Sequence, residues 1–119
     1  MKHQAYEYEM LNRLTKVKTH GTVEIFKEEL KFWYDVQRVT VGVWRDIDDR
    51  WRSLEPKKTN KLLLAETASS WILIWGYGLG TTKDSWFKDV RNLAGRATPE
   101  GKDLGFEIHD IPGAGDNGK

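Results

Sequence analysis

Six tryptophans, Trp33, Trp44, Trp51, Trp71, Trp75 and Trp86, in a chain with no cysteine constrain the fold more than any other feature. A buried indole removes roughly 200 Å² from water. Without cysteine there is neither a disulfide framework nor a thiolate metal site to stabilise the chain instead. The 119 residues have room for one domain, so these rings are expected to build a single core.

Charge adds little direction. Nineteen basic residues against 18 acidic ones leave no overall field toward nucleic acid, membrane or acidic ligands. The N-terminal residues are polar and include tyrosines, without the apolar run of a secretion signal. The most apolar stretch, Leu62 to Leu79, is interrupted by Glu66, Thr67, Ser69 and Ser70, short of the clean apolar length of a membrane span. A soluble, cytoplasmic protein is the expectation.

Apolar spacing predicts four helices. Tyr6, Met10, Leu14 and Val17 recur at helical period over residues 5–18, with Gly21 placed to end the helix. Thr22 is a candidate cap for a long second helix over 23–54, whose stripe runs through Phe26, Leu30, Trp33, Val36, Val39, Val43, Ile47, Trp51 and Leu54. Val39, Val41 and Val43 also alternate as a strand would, so a helix kinked near Gly42 competes with helix–strand–helix. Glu55-Pro56 breaks the chain. A third helix is predicted from Thr59 or Asn60 through Trp75, carrying Leu64, Ala68, Trp71 and Trp75. A fourth, opening at Thr81 or Thr82, presents Trp86, Phe87, Val90, Leu93 and Ala94 before Gly95.

The expected architecture is therefore mainly α: a four-helix orthogonal or bundle-like single domain over residues 1–111. It would carry a short extended C-terminal strap near 106–111 and a flexible Gly-rich tail over 112–119. The alternative is an α+β fold with a strand near 36–44.

Few motifs suggest chemistry. Gly76, Gly78 and Gly80 imitate a phosphate-cradling loop, but the last glycine comes one residue early for G-x-G-x-x-G, and no Lys-Ser/Thr pair follows. His3, His20 and His109 are scattered, with no helical metal-site spacing. Asp46, Asp48 and Asp49 stand among Arg45, Arg50 and Arg52, a pattern that reads as helical ion pairs on a solvated face. No metal, cofactor or catalytic group is assigned.

Two features suggest binding. Arg50, Arg52, Lys57, Lys58 and Lys61 gather against one acid, Glu55, beside Trp44 and Trp51, which would suit a nucleic-acid backbone. Trp33, Tyr34 and Trp44 exceed what one helical stripe can bury, and aromatic surplus marks partner surfaces. The leading expectation is a small non-enzymatic interaction or assembly protein, of the accessory kind that viruses and mobile elements encode. It would dock through Trp33, Tyr34 and Trp44 with another protein or with copies of itself. The alternative is a nucleic-acid-binding accessory protein using residues 50–61.

Overall fold

The computed structural model describes residues 1, 3–57, 60–76 and 87–96. In chain order they form α1 (Gln4–His20), β1 (Thr22–Phe26), α2 (Lys27–Tyr34), α3 (Val41–Leu54), β2 (Leu62–Glu66), β3 (Ser70–Trp75), β4 (Lys88–Asp89) and α4 (Val90–Leu93). The strands make one antiparallel sheet in the order β1-β3-β2-β4. The chain is thus α+β and not the mainly α bundle that its helical spacing predicts.

The first helix forms as expected. Met10, Leu14 and Val17 are its buried face, and Gly21 ends it with a φ of 95° that costs a glycine little, donating its N–H to the Val17 carbonyl. The next turn of chain departs from expectation. Thr22-Val23-Glu24-Ile25 alternates polar and apolar, and this short period of two wins over the helical stripe drawn through it.

The long helix predicted over 23–54 is therefore three elements. After β1, α2 runs only to Tyr34, because Asp35 adopts a left-handed conformation (φ 56°, ψ 50°) that stops it. Residues 36–40 are neither helix nor strand, so the alternative strand near 36–44 is absent as well. Gly42 lies in the first turn of α3 rather than at a kink, and α3 ends at Leu54, ahead of Glu55-Pro56.

The helix predicted through Trp75 is a hairpin. Helical spacing at Leu64, Ala68, Trp71 and Trp75 masks two strands joined at Thr67-Ala68-Ser69. The Thr67 hydroxyl accepts the N–H groups of Ser69 and Ser70, at 3.3 and 2.9 Å, and its own N–H donates to the Ser70 carbonyl. Such short hydroxyl side chains offer the backbone partners that compete with a helix. Gly76 extends the pairing by donating to the Lys61 carbonyl at 2.7 Å. A Cβ there would lie 2.7 Å from side-chain carbons of Leu63 and Lys61, so the approach requires glycine. Of the predicted fourth helix, 87–89 is extended and only Val90–Leu93 is helical. Residues 77–86, the strap near 106–111 and the tail at 112–119 lie outside the described residues, as does Trp86.

Sheet register assigns the faces. Ile25, Trp71, Leu73, Leu62 and Leu64 fall on one face and join the buried residues of all four helices in a single cluster. At its centre Trp44 of α3 meets Trp71 of β3 edge to face, ring centroids 5.1 Å apart and planes at 88°. Neither indole N–H has a hydrogen-bond partner, and an edge-to-face pair lets one of them meet the other's π face. Trp51 differs: its N–H donates to the Asn60 carbonyl at 2.9 Å and ties α3 to the approach of β2.

One sheet edge, the outer side of β1, is closed by side chains. Gly21 and Lys27 bond into β3, so alternation turns the backbone of Thr22, Glu24 and Phe26 outward. Arg13 of α1 donates to the Glu24 carbonyl at 3.1 Å, and the Phe26 N–H donates to Glu29 at 3.0 Å. Arg13 and Glu29 also pair with each other at 2.9 Å. Their clasp blunts an edge that would otherwise recruit another strand.

Candidate functional site

The structure separates the three aromatics expected to dock a partner. Trp44 is fully buried in the core and presents no ring to solvent. Trp33 is 6% exposed, inside the same cluster, with the Arg13 guanidinium 5.3 Å above its ring. Tyr34 is half-buried between helices, where its hydroxyl donates to Asp46 at 2.6 Å. Burial, and then the adjacent Asp46 carboxylate, push its phenol well above the ordinary range. The three do not form one surface.

The basic segment is likewise dispersed. Arg50 donates to Asp46 at 2.7 Å and Arg52 to Asp48 at 3.0 Å, both one helical turn away on α3. Lys61 is buried, Lys57 is exposed, and Lys58 lies outside the described residues. The acidic run does form ion pairs, but it is not simply a solvated face. Asp48 is buried and takes a second contact at 2.6 Å from Arg96, which also reaches Asp49 at 2.7 Å. The Arg96 hydrogen bond holds the Asp49 carboxyl below the usual carboxylate range. With Arg45 donating to the Ala94 carbonyl at 2.7 Å, these contacts fasten α4 and the residues after it onto α3. The cleft beside Asp48, Trp51 and Arg91 encloses about 10 Å³, space for about one water.

His3 packs against Tyr6, His20 lies 2.8 Å from the Thr19 hydroxyl, and His109 is outside the described residues. Among the described residues no group of three or more His, Cys, Asp or Glu side chains could hold a metal, and no helix is long and apolar enough to cross a membrane.

The feature with space for a partner lies elsewhere, between the first turn of α1 and the outer face of α2. Leu30 and Trp33 point α2 into the core. Each residue advances a helix by about 100°, so Phe32 is turned outward and is 68% exposed. Tyr6 leans against it, centroids 5.4 Å apart at 59°, and His3 meets Tyr6 edge-on at 5.1 Å. These three rings form one wall of an open groove of about 980 Å³. Glu28, Glu29 and Lys31 supply its α2 rim, and the turn from Asp35 to Gln37 supplies its end.

Its electrostatics are uneven. Glu29 is fixed by Arg13, whose hydrogen bonds hold its carboxyl below the usual range. Glu28 is 85% exposed and reaches only the neighbouring Lys31, at 3.1 Å. Left-handed backbone at a residue other than glycine costs about 1 kcal/mol, and Asp35 has it at the groove's end.

Sequence reading missed Phe32 in favour of its two neighbours. The signal was the Phe32-Trp33-Tyr34 run itself, since three successive helical residues cannot all face one core. Searches against known proteins add nothing to the geometry: no family model, no curated protein and no solved structure matches the chain.

Proposed function

We propose that this chain is a small non-enzymatic docking protein that takes part of a partner into the groove between α1 and α2. Phe32 and Tyr6 are the anchors. One observation carries the reading: a phenylalanine more than two-thirds exposed, braced by a second ring, in a groove large enough for several side chains. Keeping such a ring in water forgoes the stabilisation of burying it, whereas burial against a partner recovers it. Aromatic anchors of this kind dominate binding energy at interfaces. The partner is another protein or a second copy of this chain. The nucleic-acid alternative loses support because Arg50 and Arg52 are engaged by carboxylates of their own helix.

A photo-reactive phenylalanine analogue at position 32 tests the proposal, with the same analogue at exposed Lys16 of α1 as reference. In cells making the protein, position 32 is expected to give a discrete adduct that position 16 does not. Identical adduct patterns at the two positions, or none at 32, would contradict the proposal.

A further inference from the structure

We infer that the groove selects a cationic side chain, a lysine or arginine carried on an extended segment of the partner. The inference rests on the docking reading above and adds the chemistry of what docks.

The first support is charge. The groove lining carries three carboxylates, Glu28, Glu29 and Asp35, against one ammonium, Lys31, in a chain whose net charge is +1. The local sign is therefore opposite to that of the whole molecule, and it favours a positive partner.

The second support is an arrangement the fold already uses twice. Arg13 lies 5.3 Å over the Trp33 ring and pairs with Glu29 at 2.9 Å. Lys27 lies 4.7 Å over the Trp71 ring and pairs with Glu66 at 2.5 Å. In both, a cation is held between an aromatic face and a carboxylate. Phe32 and Glu28 are four residues apart on α2, so they lie on one helical face and present the same two halves to solvent. Lys31 is the residue that contacts Glu28 now, through an exposed pair three residues apart, which is a weak and exchangeable arrangement.

Lys31 is then a competitor for the site, and this gives the inference its sharpest consequence. Removing its charge leaves Glu28 open to an incoming cation. A purely apolar groove would not respond in that way.

The test is amide chemical-shift titration of the intact chain with the blocked peptide acetyl-(Gly-Lys)4-amide, compared with (Gly-Glu)4 and (Gly-Leu)4. The lysine peptide is expected to shift amides around His3, Tyr6 and residues 28–37, and the glutamate peptide to leave them in place. Glu28→Gln weakens binding about threefold and Lys31→Gln tightens it by a similar factor, the scale of one exposed ion pair. Phe32→Ala, a change at an exposed ring that the fold tolerates, weakens it by about fivefold, the upper end of an exposed cation–π contact. If (Gly-Leu)4 shifts the same amides as strongly and Glu28→Gln changes nothing, the cation inference falls while the docking groove stands. Shifts spread evenly over every surface carboxylate also overturn it, as does the absence of any shift at millimolar peptide. In those two cases the photo-crosslink at position 32 decides separately whether the groove docks a partner.

Discussion

Two aromatic pairs of nearly equal spacing lead opposite lives in this molecule. Trp44 and Trp71 sit 5.1 Å apart with almost no exposure, enclosed by elements from both the helical layer and the sheet. Tyr6 and Phe32 sit 5.4 Å apart on the rim of an open groove, with Phe32 largely in water. Ring contact alone therefore does not distinguish a core from a docking surface. What differs is the rest of each ring's surroundings. The tryptophan pair has neighbours on every side and contributes to stability, whereas the Phe32 pair keeps an open face and so retains binding energy to spend on a partner.

The comparison breaks most readily at the core. Trp44→Ala is expected to lower unfolding free energy by about 3–5 kcal/mol, as for other large buried aromatics, and urea denaturation followed by circular dichroism would measure it. A loss below about 1 kcal/mol, the size of an average substitution, would mean that Trp44 is not the centre of the core.

A smaller loss is expected from Arg13→Ala, about 1–2 kcal/mol for removing charge-assisted hydrogen bonds. This change leaves Glu29 without its guanidinium and uncovers the Glu24 carbonyl on the β1 edge. Sedimentation of the variant is expected to show reversible association through that edge, which a neutral role for the clasp would not produce.

Acid should act on the same side of the comparison. Arg13 lowers the folded-state pKa of Glu29, and Arg96 lowers that of Asp49. A carboxyl whose pKa is lower folded than unfolded stabilises the protein above its unfolded value, and that contribution is lost as pH falls through the folded one. Stability from these groups is thus expected to be flat near neutrality and to decline as pH drops below about 4, the ordinary carboxylate value. Denaturation midpoints at stepped pH would show it, with a shallower decline in Glu29→Gln.

Legibility followed the length over which a pattern could repeat. Helix α1 has seventeen residues and a clean apolar stripe, and its spacing and terminal glycine were sufficient to place it. The sheet was hidden because its strands are only two to six residues long, too short for a period of two to stand out against coincidental threes and fours. Leu64, Ala68, Trp71 and Trp75 match a helix by spacing, yet Thr67-Ala68-Ser69 is a turn and Trp71-Ile72-Leu73-Ile74-Trp75 has the aromatic and β-branched character of a strand. The stripe from Phe26 to Leu54 failed at Asp35, where a single left-handed residue resets the helical phase without any glycine or proline to announce it. The site was half legible. The aromatic run at 32–34 marked the right helix, but choosing its outward member required knowing that the sheet and α3 lie on the Trp33 side.

The central claim is that Phe32 is kept exposed for docking and not for stability, and Phe32→Ala tests it most directly. Its unfolding midpoint in urea should match that of the unaltered chain to within about 0.5 kcal/mol, the range of ordinary surface changes. In the same preparation, the amide shifts that the lysine peptide induces around the groove should shrink severalfold. A large loss of stability with undiminished peptide binding would contradict the account, because Phe32 would then belong to the core and the groove would have lost its anchor.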